Sequence, residues 1–286
     1  MKAIIPVAGY GTRLKPHTLT LQKCLFPVGG KPVLAHILDK VISAGINEVS
    51  LIVGHLSEQV INFCKTYQNI SFTFVHQYKR LGLGHAVFQA LNKNSDPVLI
   101  LLGDGIFEFD YRKIISSSYS QIGVNIVENP KRFGIVDIDG QNIKKFHEKP
   151  ENPPSNLAIS GVYLIKSQKE LFNAIKYLID NDFRSHNEYQ LTDALQHMLE
   201  NNHPFKIFNI DKCLDCGVTE SILATNKHLL EKNGENIVDS RASIINSKIK
   251  NSTISRDCYI ENSNLNNVIM LPGKSIINKK LVDVII

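Results

Sequence analysis

Short apolar segments alternate with segments of helical periodicity in the first hundred residues, and this alternation restricts the folds open to the chain. The strand-like apolar runs are 2–8, 48–54, 71–77 and 97–104. Apolar residues recur at helical spacing in 32–45, 57–67 and 84–93. Gly45 is expected to end the first helix, and Ser57 to cap the second. Strands separated by helices predict an α/β fold with a doubly wound, mostly parallel sheet, in which ligands bind beyond the carboxyl ends of the strands.

The pattern changes twice further along the chain. Residues from about 120 to 170 are richer in strand-like runs, and helical patterns return at 168–180, at 188–201 and up to about 232. Residues 236–286 are rich in Asn, Ser and Ile, and apolar residues recur there at spacings of five or six. A period near six predicts a hexapeptide β-helix of about two coils of roughly 18 residues; an irregular polar tail is the alternative. We therefore predict two units, residues 1–233 and 234–286.

The composition argues against several classes of protein. The formal net charge is +5, but the sequence has no Lys/Arg block and no tryptophan, so nucleic acid is not an expected partner. Five cysteines in 286 residues do not make a disulfide framework, and Cys213 and Cys216 alone form a CxxC pair. No secretory signal is visible, nor an uncharged run of the ~20 residues of a membrane helix. We expect a cytoplasmic protein with reduced cysteines and no membrane contact.

The glycine-rich stretch VAGYGTRLKPHT, residues 7–18, follows the apolar run AIIP, residues 3–6. Gly9 and Gly11 match the first two glycines of the dinucleotide-binding pattern GxGxxG, but Leu14 stands where the third belongs. The GK[ST] ending of a P-loop is missing as well. The residue pattern therefore leaves two alternatives. Either the backbone amides and Arg13 face a phosphate, or the stretch is a plain tight turn.

The longer stretch GYGTRLKPHTLTLQKCLFPVGGKP, residues 9–32, resembles the signature region of the sugar-1-phosphate nucleotidyltransferases. The positions that match that signature are Gly9, Gly11, Thr12, Arg13, Leu14, Pro16, Thr18, Lys23, Pro27, Lys31 and Pro32. Further matches follow in the order found in that family: HQYKRLGLGHA, LLGDGIF, RFGIVDID, FHEKP, AISGVYLI, NEYQLTDAL and LDCGVTESILATN. The resemblance covers about residues 1–230 and is strongest to the glucose-1-phosphate thymidylyltransferases, with the uridylyl enzymes next.

The resemblance implies a fold and a reaction. The fold is a Rossmann-like sheet of the nucleotide-diphospho-sugar transferase type, and the tail resembles the short left-handed β-helix of longer members. In the reaction, a sugar 1-phosphate oxygen attacks the α-phosphorus of a nucleoside triphosphate and pyrophosphate leaves. Such chemistry depends on positioning and on neutralising charge, with Mg²⁺ as the cofactor. A homo-oligomer is also expected.

The resemblance also assigns roles to individual residues. Ala8, Gly9, Gly11 and Thr12 would cradle the triphosphate. Arg13, which would also bind the nucleotide, would be catalytic by stabilising the leaving pyrophosphate. Lys23 would be catalytic by binding phosphate at the reacting centre. Asp104, also catalytic, would hold Mg²⁺ together with Asp215. Gln77 and Gly82 would recognise the base. The sugar phosphate would be bound by Gly134, Glu148, Lys149, Gly161 and Glu188, with Lys149 also catalytic.

Several alternatives stay open at this stage. The base is expected to be thymine or uracil and the sugar glucose, but these patterns do not separate the two pyrimidines, and a GTP-dependent, mannose-specific member is also possible. A non-catalytic regulatory subunit that binds nucleotide-sugar is a second class of function. Acyl transfer by the tail is not expected, because no histidine follows His228 to act as a base. The tail is instead expected to cap the domain or to mediate self-association.

Overall fold

The computed structural model describes residues 1–286, apart from the side chain of Asn233. The α-helices are Val33–Ser43 (α1), Ser57–Cys64 (α2), Leu83–Ala90 (α3), Tyr111–Ile115 (α4), Gln168–Asp180 (α5), Leu191–Glu200 (α6) and Thr219–Asn233 (α7). The strands of the first 215 residues are Lys2–Pro6 (β1), Pro27–Val28 (β2), Lys31–Pro32 (β3), Glu48–Val53 (β4), Ser71–His76 (β5), Val98–Leu101 (β6), Gly105–Glu108 (β7), Ser120–Ile126 (β8), Gly134–Asp139 (β9), Asn142–Glu148 (β10), Leu157–Ile165 (β11), Phe205–Asn209 (β12) and Lys212–Asp215 (β13). The tail strands are Ile237–Val238 (β14), Ser243–Ile245 (β15), Lys248–Lys250 (β16), Thr253–Ile254 (β17), Tyr259–Glu261 (β18), Asn264–Met270 (β19), Ser275–Ile277 (β20) and Lys280–Ile285 (β21). Short 3-10 turns are Thr12–Leu14, His17–Leu19, Lys23–Leu25 and Pro130–Arg132.

A mixed sheet lies at the centre of the described chain, with the strand order β5-β4-β1-β6-β11-β8-β12-β10-β9. The strands β5, β4, β1 and β6 pair in parallel. Beyond β6 the pairings are antiparallel, except that β12 runs parallel to β8. The predicted parallel order therefore describes the first half of the sheet. Its strands β1 and β6 are buried apolar runs, as strands covered on both faces require.

Helices cover both faces of this sheet, so the fold is doubly wound. The alternation of side chains along β1 assigns residues to the two layers. Ala3 and Ile5 belong to the core that includes α1, α2 and α7, whereas Ile4 belongs to the core that includes α3, α5 and α6. Because β1, β4 and β6 are parallel, their carboxyl ends meet at one edge, and the loops that follow them converge there.

Gly45 and Ser57 were predicted to mark the end of the first helix and the start of the second, and the structure agrees only with the prediction for Gly45. Helix α1 ends at Ser43, and Gly45 follows with a φ of 90°, so this glycine lies just past the helix end as predicted. The prediction that Ser57 caps the second helix is wrong. Ser57 is the first helical residue, and Leu56 occupies the N-cap at a φ of 52° without a side-chain hydrogen bond. The Ser57 amide donates to the Gly54 carbonyl at 3.2 Å, so a backbone turn starts this helix.

The tail strands stack in parallel and are consistent with a left-handed β-helix. One coil takes 16 residues, because Ser243 lies opposite Tyr259 and Tyr259 opposite Ser275. The predicted length of roughly 18 residues is therefore too large, since two of the three steps around each coil are five residues and not six. Successive strands from β14 through β17 and β19 to β21 complete three coils in the described tail, where about two were expected. Asparagines with positive φ form one corner, as their tolerance of left-handed angles predicts: Asn246, Asn262 and Asn278.

The β-helix shares a core with the sheet domain. Ile269, Leu271 and Ile285 from the tail belong to the same buried cluster as α1 and α7. The fully buried Asn226 of α7 reinforces this junction, because its Oδ1 accepts hydrogen bonds from Gly29 N at 2.9 Å and from the hydroxyl of Thr253 at 2.6 Å. Tail and domain are therefore expected to unfold together. Across the described residues, no helix is both long and apolar enough to cross a membrane.

Substitutions in the tail test this shared core. Ile269 is 0% exposed, and Ile269→Ala leaves a cavity that we expect to cost about 2–5 kcal/mol of the free energy of unfolding. Ile245 is 46% exposed, and Ile245→Ala should change that free energy by about 0.5 kcal/mol or less. Chemical denaturation measured by circular dichroism compares the two. A main unfolding transition that Ile269→Ala leaves unchanged would refute the shared core.

Candidate functional site

The loop after β1 is a compact turn with a buried apolar anchor. Gly11 has a φ of 60°, and a Cβ there would lie 2.8 Å from Thr18 Cγ2, so glycine is required for both conformation and space. The Thr18 hydroxyl donates to the Gly11 carbonyl at 2.9 Å and closes the turn. Leu14, at the position of the absent third glycine, is fully buried. The stretch is therefore built differently from a dinucleotide loop, with a leucine holding its far end in the core.

Gln22 holds this loop against the turn that carries Lys23, and the sequence analysis assigned it no role. The side chain is 1% exposed. Its Nε2 donates to the Val7 carbonyl at 2.5 Å, and its Oε1 accepts from Cys24 N at 2.6 Å. Its backbone N–H donates to Gln59 Oε1 at 3.0 Å, and this bond ties the turn to α2. One buried amide thus satisfies backbone groups on both sides of the site.

Lys23 reaches across from this turn to Asp104, just beyond the end of β6. The Nζ to Oδ2 distance is 2.8 Å, with the lysine side chain 12% exposed and the aspartate side chain 45% exposed. Gly103 lets the chain pass close to β1, because a Cβ there would meet the Pro6 carbonyl at 2.6 Å. The ion pair therefore joins the loops that follow two neighbouring parallel strands. It leaves the carboxylate accessible from one side.

Asp215 lies on the strand next to Asp104. In the β7–β13 pair, Asp215 is opposite Gly105, and the Cys216 amide donates to the Asp104 carbonyl at 2.9 Å. Arg13 approaches the same point: a Cβ on Gly217 would lie 3.0 Å from Asp215 Oδ1 and 3.5 Å from Arg13 Nη2. Two aspartates more than a hundred residues apart in sequence thus stand on neighbouring backbone segments, with Lys23 paired to Asp104 and Arg13 near Asp215.

The CxxC pair beside these aspartates has no features of a reactive site. All five cysteines are free in the described structure. Desolvation, together with the charges of Asp215 and Asp104, raises the pKa of the Cys213 thiol to about 11. Burial raises the pKa of Cys216 further still. Both thiols are therefore protonated at neutral pH, which argues against a redox role.

A cavity of about 360 Å³ opens at the carboxyl edge of the parallel strands. Predicted site residues that line it are Ala8, Gly9, Lys23, Gln77, Gly82, Asp104 and Glu188. Gly82 has a φ of 107°, and a Cβ there would lie 2.6 Å from the Tyr189 carbonyl and 2.8 Å from Glu188 Cβ. That close packing forms the wall of the cavity between α3 and α6. Arg80 also lines the cavity and was given no role by the sequence analysis.

The remaining predicted residues are not among those that line this cavity. Gly134 pairs with Glu148 across β9 and β10, and Glu148 Oε1 accepts from Lys149 Nζ at 2.9 Å. The Gly161 carbonyl accepts from the amide of Leu102, a lining residue, at 3.0 Å. Gly11, Thr12, Arg13 and Asp215 stand on the loop side, as described above.

Asp193 is a partly buried carboxylate near the Glu148–Lys149 pair that the sequence analysis missed. Burial raises its pKa, and the charge of Glu148 acts in the same direction. Its Oδ2 has no hydrogen-bond partner in the described structure. The residue stands in the first turn of α6, where an acidic side chain is an ordinary feature, so its sequence position carries no functional signal.

Comparison with known proteins assigns the chain to a family. A model of the nucleotidyl transferase family matches residues 2–232. The chain belongs to the nucleotidyl transferase family. The match covers the sheet domain with its loops and ends beside the last residue of α7.

Relatives within this family differ in length from the chain. It is 36% identical over 233 residues to "Bifunctional protein GlmU" of Methanocaldococcus jannaschii, a match that covers 81% of this chain and 55% of that protein. It is 28% identical over 242 residues to "UTP--glucose-1-phosphate uridylyltransferase AglF" of Haloferax volcanii, covering 81% of this chain and 98% of that protein. The chain thus aligns with about half the length of GlmU and with almost all of AglF.

A solved structure confirms the nucleotide-diphospho-sugar transferase fold. A protein from Bacillus anthracis described as a glucose-1-phosphate thymidylyltransferase, crystallised with a sucrose, superposes with a TM-score of 0.69 at 27% identity. The superposition covers 80% of this chain and 95% of that one. The predicted fold class is thereby confirmed.

The carboxylates of this site have the chemistry that a family Mg²⁺ ion would need. Mg²⁺ binds through one or two carboxylates and keeps waters and substrate phosphates as its other ligands. Asp215 of β13 lies opposite Gly105, the residue that follows Asp104, and the Asp104 side chain is partly exposed. No cluster of three or more His, Cys, Asp or Glu side chains occurs among the described residues. The two aspartates fit an ion that is shared with a substrate.

Gln22 supplies a test of how the site is held together. Gln22→Ala leaves the buried Val7 carbonyl and Cys24 amide without their partner, which should lower the free energy of unfolding by about 2–4 kcal/mol. Gln89 is exposed, and its described side-chain hydrogen bonds go to His85, so Gln89→Ala is the matched control with an expected change of about 0.5 kcal/mol or less. Urea unfolding of the three proteins measures the difference. Equal stability of the two variants would contradict the role given to Gln22.

Proposed function

We propose that this protein joins a nucleoside triphosphate, dTTP or UTP, to a sugar 1-phosphate, with glucose 1-phosphate as the expected sugar substrate, and releases pyrophosphate. The observation that carries the proposal is the cavity in which the Ala8–Gly9 backbone, the Lys23–Asp104 pair and the Gln77 and Gly82 wall come together. Backbone amides, a cation and a carboxylate at one strand edge suit a triphosphate better than an uncharged ligand.

The chemistry follows from the charges available. Both reactants are anionic, so the protein must hold their phosphates together against repulsion. Lys23 would neutralise phosphate at the reacting centre, and Arg13, beside Asp215, would stabilise the departing pyrophosphate. A covalent intermediate is not required: Cys24 lines the cavity, but burial keeps its thiol protonated by raising its pKa far above neutrality. Attack by the sugar phosphate on the α-phosphorus accounts for the reaction without a protein nucleophile.

Asp104 and Asp215 are the residues we propose to hold Mg²⁺. When bound, the ion would offset negative charge on the phosphates and orient them. In the free protein Lys23 occupies Asp104 Oδ2, so Lys23 would turn towards phosphate as the nucleotide enters. That exchange keeps the carboxylate paired in both states.

The sugar phosphate is assigned to the region around Glu148 and Lys149. The Glu148 side chain is 7% exposed, and its carboxylate would accept hydrogen bonds from sugar hydroxyls. Lys149 is 40% exposed and would bind the phosphate. Gly134, Gly161 and Glu188 would let the sugar approach the backbone or bind its remaining hydroxyls. Support comes from the proximity of Gly134 to Glu148 and of Gly161 to the cavity residue Leu102.

The choice of base rests on the relatives as well as on the site. AglF, named a UTP-dependent glucose-1-phosphate uridylyltransferase, supports UTP, whereas the Bacillus anthracis structure supports dTTP.

We further propose that residues 1–233 carry the reaction and that 234–286 stabilise this unit and promote self-association. Light scattering of the full chain measures the last point, and a monomer at all concentrations would contradict it.

Pyrophosphate release tests the function. The assay crosses dTTP, UTP, GTP, CTP and ATP with the 1-phosphates of glucose, mannose, galactose and N-acetylglucosamine, each with Mg²⁺. We expect the highest turnover with dTTP or UTP and glucose 1-phosphate. Turnover highest with GTP and mannose 1-phosphate would correct the base and sugar. Nucleotide-sugar binding without turnover in any pair would instead indicate a non-catalytic regulatory subunit.

Asp104→Asn tests the proposed metal and phosphate centre. The change keeps the size of the side chain but removes its charge, and we expect kcat to fall by roughly 100- to 1000-fold. Asp139 is 76% exposed and lies at the end of β9, so Asp139→Asn is the control that should keep wild-type turnover. Thermal unfolding of each variant checks the fold. Near-normal turnover by Asp104→Asn would remove the aspartate from the reaction.

A further inference from the structure

Arg80 crosses the mouth of the cavity from one wall to the other. It lies between Gln77 and Gly82 on the wall opposite the loop after β1, and it lines the cavity although its side chain is largely exposed. Its Nη2 donates to the Ala8 carbonyl at 3.3 Å, on the loop itself. The guanidinium carbon lies 3.2 Å from the centre of the Tyr10 ring. The side chain thus spans the opening with both of its contacts on the far side.

The loop after β1, which Arg80 contacts, is held in place by further interactions. The Tyr10 and His55 rings have centroids 5.0 Å apart, and His55 Nε2 is 2.8 Å from the Thr18 carbonyl. Thr18 in turn closes the loop through Gly11. A cation over an aromatic face is attracted by the ring quadrupole, so Tyr10 fixes the position of the guanidinium more firmly than solvent would.

Arg80 can donate hydrogen bonds but cannot accept them. A guanidinium has five N–H donors and no acceptor, and the described hydrogen bonds engage Nη2 alone. Gln77, on the same wall, differs in this respect, because its amide can turn either its oxygen or its nitrogen towards a ligand. Gln77 alone therefore fits a carbonyl or an amino group equally well. A neighbouring group that only donates removes that ambiguity.

We propose that Arg80 is a specificity-determining residue that selects pyrimidine nucleotides with a carbonyl oxygen at C4, as in uracil and thymine, and rejects cytosine. The inference rests on the proposed function and deepens it by assigning base selection to this chain's own residue. Uracil carries a carbonyl oxygen at C4, where cytosine carries an amino group. The amino group would meet the N–H donors of Arg80 with no acceptor to receive it, and an unpaired donor at a partly desolvated site is costly.

The test is the ratio of kcat/KM for UTP to that for CTP, with the best sugar 1-phosphate from the substrate matrix. If the enzyme prefers dTTP, then dTTP and 5-methyl-dCTP are the equivalent pair. We expect the wild type to favour the carbonyl base by roughly 10- to 100-fold, the range of a good base contact. Arg80→Met keeps an unbranched side chain but has no hydrogen-bond donors. The UTP-to-CTP ratio of kcat/KM for this variant should therefore fall to about three or less. Arg80→Lys, which still donates only, should retain more of the ratio than Arg80→Met.

Tyr10 provides a second pair of variants away from the cavity lining. Tyr10→Phe keeps the ring beneath the guanidinium and should leave the ratio unchanged, whereas Tyr10→Leu removes the ring and should lower the ratio about two- to fivefold. KM for the sugar 1-phosphate should stay within about twofold in all four variants. An unchanged KM for the sugar 1-phosphate distinguishes a loss of base recognition from a general loss of structure.

Each result distinguishes this inference from the proposed function. A wild-type ratio near one, or a ratio that Arg80→Met leaves intact while turnover persists, would overturn the role of Arg80 and leave the transferase function standing. If no pair of substrates turns over, calorimetric titration with UTP and CTP replaces the kinetic ratio. Wild-type protein that binds UTP more tightly than CTP, together with an Arg80→Met variant that has lost this preference, supports base selection by Arg80. Failure of wild-type protein to bind either nucleotide would refute both proposals.

Discussion

The ion pair between Lys23 and Asp104 is the contact on which the geometry of the site depends. It joins the loops that follow β1 and β6, two neighbouring strands whose carboxyl ends meet at one edge because they pair in parallel. A lysine and an aspartate that far apart in sequence meet when both strands end at one edge. The pair is half-buried, so each charge has lost part of its hydration and is stabilised by its partner.

The surrounding residues make that meeting possible. Gly103 brings the end of β6 against Pro6, and the buried Gln22 fixes the turn that carries Lys23. On the opposite side the β7–β13 pairing brings Asp215 alongside Asp104. The tail stabilises this arrangement, because its apolar residues complete the core that includes α1 and α7. The geometry of the candidate site thus depends on close backbone approaches that glycines permit and on the core that the tail shares with the sheet domain.

Much of this could be predicted from sequence, and what could not has a physical explanation. Apolar periodicity predicted the strands and helices of the α/β domain, because burial imposes a period on every element. The loop at residues 7–18 was located by its motif, but Gln22 and Arg80 were missed. Their roles come from contacts to backbone carbonyls across the cavity, which leave no pattern in the chain. Ser57 was misassigned because a backbone turn replaced the side-chain cap, and the coil length was overestimated because two of its corners are one residue tighter.

The most direct test follows labelled phosphorus atoms from the nucleoside triphosphate into the products. Wild-type protein and Lys23→Gln are incubated with Mg²⁺, glucose 1-phosphate and UTP or dTTP that carries label on the α- or the γ-phosphorus, and the products are separated by chromatography. The account predicts that wild-type protein puts the α-label into the nucleotide-sugar and the γ-label into pyrophosphate, and that Lys23→Gln slows both by roughly 100-fold or more. Release of γ-label as orthophosphate, or an undiminished rate in Lys23→Gln, would contradict it.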